Sequence, residues 1–221
     1  MRFRGVQARL VLVVLLCAAP CVAQSLSRAE RPDVKVGDQW VYQDRNVQTG
    51  EKRDTSYVVT AVETDRIVMD TGLSTSGAWT FTREVNFIRR KTGGATAQEA
   101  KPYWPAFRFP LEVGKTWEMP FENDVETPNG TRHAEWRWKA RVAAAEAVTV
   151  PAGTFQTLRV EAEGTYTSRI NRRSWTGSHT DTFWFSPDAK RYVKRVFDQS
   201  VPANGTEDHH VIELVSYKLV P

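Results

Sequence analysis

The chain has 221 residues, with 30 Lys plus Arg against 26 Asp plus Glu and a formal net charge of +4. Three of those cations, Arg2, Arg4 and Arg9, precede an apolar run from Leu10 to Ala23, the basic, apolar, then small-residue pattern of a secretory signal peptide. Cleavage after Ala23 would remove those arginines and both cysteines, Cys17 and Cys21, leaving 27 cations against 26 anions and a net charge of +1. A mature chain of this kind excludes disulfides, thiolate metal sites and a cysteine nucleophile, and its charge gives no electrostatic case for nucleic acid.

The apolar run falls short of the about 20 residues that a membrane-spanning helix needs, so the mature chain is expected to carry no transmembrane segment. Leu16 before Cys17 and Pro20 before Cys21 fit a lipid-modification signal poorly. The expected organisation is a signal peptide over 1–23, a flexible leader over 24–33 and a single β domain over 34–221. A β domain of this length can bury a core without staples.

Taken in chain order, most of the sequence has a period of two. Trp40–Gln43 ("WVYQ") and Trp79–Ile88 ("WTFTREVNFI") have the aromatic and β-branched content of strands. Thr49-Gly50 and Thr64-Asp65 mark corners near them. "ATAQEAKPYW", from Ala95 to Trp104, could form one or two helical turns before Pro102 ends them. In Ala134–Val142 ("AEWRWKARV"), Ala134, Trp136, Trp138, Ala140 and Val142 share one parity, and Glu135, Arg137, Lys139 and Arg141 the other. That is a strand with one dry and one wet face. The alanines of "RVAAAEAV", Arg141–Val148, favour a helix but continue straight on from this strand.

"TLRVEAEG" (Thr157–Gly164) alternates in the same way, and "TFWFS" (Thr182–Ser186) is again aromatic. Asn129-Gly130, Pro187-Asp188 and Asn204-Gly205 supply further corners, and the two N-G-T sequons are read as turns rather than glycosylation sites. The predicted fold class is all-β: a curved antiparallel sheet or half-open barrel of ten to twelve strands built from hairpins, with little helix. "VGDQW" at Val36–Trp40 recurs as "VGKTW" at Val113–Trp117. Two similar strand entries are the favoured reading of that repeat over a true duplication.

"VPAGTF", Val150–Phe155, invites a phosphate-loop reading, but Pro151 lacks an N–H, only one glycine is present and a strand follows. A β-turn with Pro fixing φ and Gly153 taking the awkward angle fits better. Together with "TFWFSPDAKRYVKRV" (Thr182–Val196) and "FPLEVGKTW" (Phe109–Trp117), this stretch resembles exported β-rich domains of unknown function in Gram-negative bacteria, over about residues 34–219. The resemblance implies a periplasmic curved antiparallel sheet similar to lipoprotein-carrier half-barrels. It carries no catalytic residues.

Candidate chemistry is sparse. "GSHTD" brings Ser178, His179 and Asp181 close in sequence, but on a strand Ser178 faces away from His179 and Asp181, so a triad is not expected. "EDHH" gathers Glu207, Asp208, His209 and His210, with His133 elsewhere. Adjacent strand histidines diverge, and no metal site is expected. Trp136 and Trp138 point away from Arg137 and Lys139, against a base-stacking face.

The chain has eight tryptophans, and a dry core handles buried indole N–H groups awkwardly. We therefore expect an aromatic-lined concavity with Trp79, Phe81, Phe87, Trp136 and Trp138 as the ligand-binding candidates. The expected ligand is a lipid or other amphiphile, with neither catalytic residues nor a cofactor. The alternatives are a glycan-binding module using tryptophan platforms, or an accessory envelope subunit with a protein partner. Lys190, Arg191, Lys194 and Arg195 could meet anionic head groups, although a solvated strand face is the plainer reading.

Overall fold

The computed structural model describes residues 26–72, 76–201 and 205–221. The signal-peptide cleavage point and Asn204 of the last predicted corner lie outside the described residues. The secondary structure is all β. Strands β1 (Arg28–Ala29) and β8 (Leu111–Glu112) pair with each other.

The other twelve strands form one closed antiparallel barrel. They are β2 (Gln39–Asn46), β3 (Lys52–Val62), β4 (Arg66–Asp70), β5 (Ser76–Thr82), β6 (Phe87–Thr92), β7 (Ala95–Lys101), β9 (Thr116–Thr127), β10 (Gly130–Val150), β11 (Gly153–Ile170), β12 (Arg173–Ser186), β13 (Arg191–Val201) and β14 (Thr206–Lys218). All-β class and strand number follow the sequence pattern, but the sheet closes instead of staying half-open. Closure comes from two long-range pairings, β14 with β2 from His210↔Asn46 to Lys218↔Gln39, and β7 with β9 from Gln98↔Val125 to Lys101↔Glu122.

The two VG motifs open equivalent halves of the barrel, β2–β7 and β9–β14. In the first, Gly37 N–H donates to Val59 O and Val59 N–H to Asp38 O, both at 2.9 Å. In the second, Gly114 N–H donates to Val142 O and Val142 N–H to Lys115 O, also at 2.9 Å. Both glycines need positive φ, 94° and 91°, which a side chain would resist. A bulge follows each contact, at Val59/Ala61 and Val142/Ala144. Farther on, Val85 and Lys190 take the same left-handed φ, 56° and 57°. The repeat is thus structural, beyond two coincidentally similar strand entries.

Two other expectations change. Ala95–Lys101 is strand β7, not helical turns, because it pairs with both β6 and β9. The alanines after Val142 stay in β10, held by the ladder to β11. Part of the segment read as a leader is docked: Arg28–Ala29 pairs with Leu111–Glu112, Ala29 is buried, and Arg28 ion-pairs with Glu112.

The outer face is polar, as the exposed row Glu135, Arg137, Lys139 and Arg141 illustrates, the inverse of a lipid-facing barrel. Eight strands enclose a space that strand side chains just fill; twelve enclose more. Large rings line that interior, and an inserted segment, Pro102–Pro110, packs against them. β7 meets β9 only over Glu122–Val125, so Thr116–Phe121 has β10 on one side and the inserted segment on the other. Pro120 lies in this stretch, where a missing N–H is tolerated.

Asn86, fully buried, holds the insert: its side-chain amide donates to Phe107 O and its oxygen accepts from Phe107 N–H, each at 2.8 Å. Trp104 N–H donates to Phe87 O at 2.8 Å, and Trp117 Nε1–H to Pro105 O at 2.9 Å.

Candidate functional site

The aromatic side chains gather inside the barrel in two clusters. The first combines Trp40 and Tyr42 of β2, Tyr57 of β3, Trp79 and Phe81 of β5, Phe87 of β6 and Tyr192 of β13. Trp79 stands 5.6 Å from Tyr57, 6.2 Å from Phe81 and 5.5 Å from Phe87, centroid to centroid. The Arg191 guanidinium projects into this group, 3% exposed, with Cζ 4.6 Å from the Tyr57 ring, 5.1 Å from Trp40 and 5.3 Å from Phe81. Trp40 Nε1–H is satisfied by Ala189 O at 2.7 Å, and Tyr42 O–H by Tyr192 O at 2.7 Å.

The second cluster centres on Trp104 of the insert, 5.0 Å from Trp136, 5.4 Å from Trp138, 5.0 Å from Phe121 and 5.7 Å from His179. Two glycines make room for its rings. A Cβ on Gly164 would lie 2.6 Å from Trp138 Cε3, and one on Gly177 would lie 2.4 Å from the Tyr166 ring. Four buried nitrogens here have no hydrogen-bond partner: Nε1 of Trp104, Trp136 and Trp138, and Nδ1 of His179.

Between the clusters lies a buried ion pair. Arg195 grips Asp181 through Nε–H to Oδ1 at 2.9 Å and a terminal N–H to Oδ2 at 2.7 Å, and His179 Nε2 approaches Oδ2 at 3.4 Å. Burial by itself would raise the Asp181 pKa, but the charge of Arg195 and the hydrogen bonds from His179 and Arg195 hold it below the ordinary carboxylate range. Phe183 and Phe197 sandwich Arg195 at 5.1 and 4.7 Å, Phe183 contacts Tyr192, and Phe197 stacks on His179. The Arg195 guanidinium therefore bridges the rings of one cluster to those of the other.

All five sequence-predicted residues lie on the inner face, divided between the clusters: Trp79, Phe81 and Phe87 in one, Trp136 and Trp138 in the other. None of the eight indoles is exposed; Trp79, Trp104, Trp175 and Trp184 are half-buried and the rest buried. Ser178 faces outward while His179 and Asp181 face inward, so no serine nucleophile meets the histidine. His209 bonds to Asp198 and His210 to Asp44 at 2.7 Å. Among the described residues no group of three or more His, Cys, Asp or Glu is arranged to hold a metal.

The basic return strand needs correction. Lys190 pairs with buried Asp38 at 3.0 Å, Lys194 with Glu213 at 3.0 Å, and Arg191 and Arg195 turn inward. They form no solvated face. Part of the signal was present, because Arg195 and Phe197 share one parity, but the bulge in β13 at Val193 breaks the alternation before Arg191. Asn86 and Trp104 carried no comparable signal.

Two clefts open on the surface. One, of about 280 Å³, lies at the seam between the insert and β9, lined by Glu84, Tyr103, Pro105, Phe107, Trp117 and Met119 among others. Burial raises the Glu84 pKa there, against the Phe109 backbone bond and the charges of Lys115, Arg31 and Arg108. The other, of about 780 Å³, crosses the outside of β9–β12 past Glu135, Arg137 and the hydroxyls of Thr165, Thr167, Thr176 and Ser178.

These features define a closed twelve-stranded barrel with a wet exterior, an aromatic interior and one seam plugged by its own chain. No family model matches the sequence, and no curated protein matches it. Among solved structures, a candidate lipoprotein from Parabacteroides distasonis is similar at a TM-score of 0.50 and 14% identity, with 88% of this chain and 100% of that one covered. A candidate exported protein with a YmcC-like fold from Bacteroides fragilis aligns at 0.49 and 14% identity, covering 86% and 99%. The hypothetical lipoprotein YmcC of Escherichia coli aligns at 0.41 and 13%, covering 83% and 85%. At 14% identity the first of these likenesses is one of fold.

Proposed function

We propose that this protein is a non-catalytic, exported binding protein that holds a lipid or other amphiphile inside its barrel. One observation carries the reading: two ring clusters inside the barrel, one with Trp79, Phe81 and Phe87 and the other with Trp136 and Trp138, face away from water and are bridged by the Arg195 guanidinium between Phe183 and Phe197. The seam beside the insert is the entry route, since the ladder is interrupted there and a cleft already opens, where Tyr103, Phe107 and Trp117 stand beside Glu84, Arg108 and Glu118. Export draws on the signal-peptide pattern ending at Ala23, and the similar structure from Parabacteroides distasonis, described as a candidate lipoprotein, supports an exported protein.

The test is to purify the mature chain without detergent, extract it with organic solvent and examine the extract by mass spectrometry. A stoichiometric amphiphile is expected. A lipid-free extract, from a protein that also takes up no added fatty acid, would refute the proposal.

A second reading, a binder of envelope glycan, draws on the hydroxyl-lined outer groove and not on tryptophan platforms, because no indole is exposed. Calorimetric titration with soluble envelope polysaccharide separates the two, since Thr165→Val with Thr176→Val would weaken only a glycan held in that groove.

A further inference from the structure

Arg191 is the most anomalous group in the interior. A guanidinium carries five N–H donors and keeps its charge in any protein environment. Its one hydrogen bond among the described residues runs from Nη1 to the thioether sulfur of Met69 at 3.4 Å, a weak acceptor. No carboxylate among the described residues ion-pairs with it. Five rings surround it, those of Trp40, Tyr42, Tyr57, Phe81 and Tyr192, at 4.6–5.6 Å. Such rings attract the charge but supply no carboxylate for the in-plane N–H groups.

Neighbouring cations on the same turn and strand show the contrast. Lys190 has Asp38, Lys194 has Glu213 and Arg195 has Asp181; Arg191 alone of the four has no acid. Nor does the surrounding field compensate. Arg90 lies over the Trp79 ring at 5.6 Å, with its Nε buried and unpartnered. Tyr57, whose hydroxyl pKa is pushed up by burial, feels the opposing charges of Arg191, Arg195 and Arg90 together. Three guanidinium groups therefore converge on one ring cluster, and Asp181 neutralises only one of them.

Fold symmetry points the same way. Asn86 and Arg191 each follow a left-handed residue at the turn between the fourth and fifth strands of their half, Val85 and Lys190, and both are buried. Asn86 uses its side chain to grip the inserted segment. Arg191 occupies the matching position, and among the described residues its guanidinium reaches only the Met69 sulfur.

We propose that Arg191 anchors the anionic head group of a single-chain amphiphile, a carboxylate or a phosphate monoester, while the apolar chain lies among the rings. This assignment rests on the interior being an amphiphile site. A planar fork meets two oxygens of either head group, and the ring cage excludes water from the contact. Burying a cation without a partner costs stability, and its retention in this place is explained by a ligand that supplies the missing charge.

Isothermal titration of the full mature chain with dodecanoate, dodecyl phosphate and dodecyltrimethylammonium tests the assignment, beside Arg191→Met and Arg191→Lys. One or both anions should bind at least tenfold tighter than the cation, and the tighter anion identifies the head group. Arg191→Met should lose at least tenfold in anion affinity while melting at the same temperature as the parent or higher. Arg191→Lys, which keeps the charge without the fork, should fall between them.

A lower melting temperature for Arg191→Met with anion preference intact would make the arginine structural and overturn the assignment. Equal binding of all three probes would overturn it while leaving the amphiphile site standing. If none of the probes bound, both readings would fall together.

Discussion

Asp181→Asn isolates the ion pair that bridges the two ring clusters. The Asp181 side chain has no exposed surface, and the Arg195 side chain is 24% exposed. Removing one partner of a buried pair costs about 3–5 kcal/mol, mostly because the other charge is left uncompensated. Arg195 keeps some access to water and asparagine can still accept one of its bonds, so the lower end applies, about 3 kcal/mol. For a domain of this size each kcal/mol shifts the melting temperature by about 2–4 °C, which gives a fall of roughly 6–12 °C by scanning calorimetry at pH 7.

The same pair fixes a pH dependence. The folded-state pKa of Asp181 is depressed, so its contribution is complete above the unfolded value of about 3.9 and is lost as pH falls through the lower folded value. Wild type and Asp181→Asn should therefore differ fully at pH 5–7 and converge toward pH 2. A difference below about 1 kcal/mol at neutral pH, or one unchanged between pH 7 and 2, would refute the reasoning.

Three other substitutions probe separate parts of the molecule. Gly177→Ala places a methyl group 2.4 Å from Tyr166 and 2.7 Å from the Ser200 carbonyl oxygen; the urea midpoint should drop by the equivalent of about 1–3 kcal/mol, and an unchanged midpoint would mean that the ring does not lie on that glycine. Asn86→Ala strips both partners from the Phe107 backbone, at about 1–3 kcal/mol for each group left buried and unpaired, and hydrogen exchange at the Phe107 amide should accelerate while that of β10 lags behind. Glu84→Gln acts in the opposite sense: the raised folded-state pKa means the carboxyl's contribution is present below about pH 4.3 and lost as pH rises through the folded value. The glutamine variant should therefore lose less stability than wild type between pH 4 and pH 7, as followed by thermal melts across that range.

Much of this fold was legible because long strands announce themselves. Ala134–Val142 and Thr157–Gly164 alternate cleanly, and the corners at Thr49-Gly50, Asn129-Gly130 and Pro187-Asp188 fall between paired strands. Closure was not legible, because the β14–β2 and β7–β9 contacts join residues far apart in the chain and depend on register that no local pattern encodes. The insert was hidden for a related reason. "KPYWPAFRFP" has no periodicity, and its place against the rings is set by Asn86.

For the candidate site, the aromatic half was visible as an excess of tryptophan. The charged half was obscured by composition, since Arg191 and Arg195 sit in a run of basic residues that resembles an ordinary wet surface. Only parity with Phe197 distinguishes Arg195, and the bulge at Val193 removes even that cue for Arg191.

The short margin of β9 at the seam bears on how the molecule behaves in a crowded compartment. Closing a sheet on itself removes the rows of free amides that let foreign strands add on, and Thr116–Phe121 is one stretch where this barrel lacks a ladder partner on one side. Pro120 sits in that gap and breaks the donor row, with the inserted segment lying across it. A chain rich enough in β structure to seed fibres therefore guards this open flank with one imino acid and a strap of its own sequence.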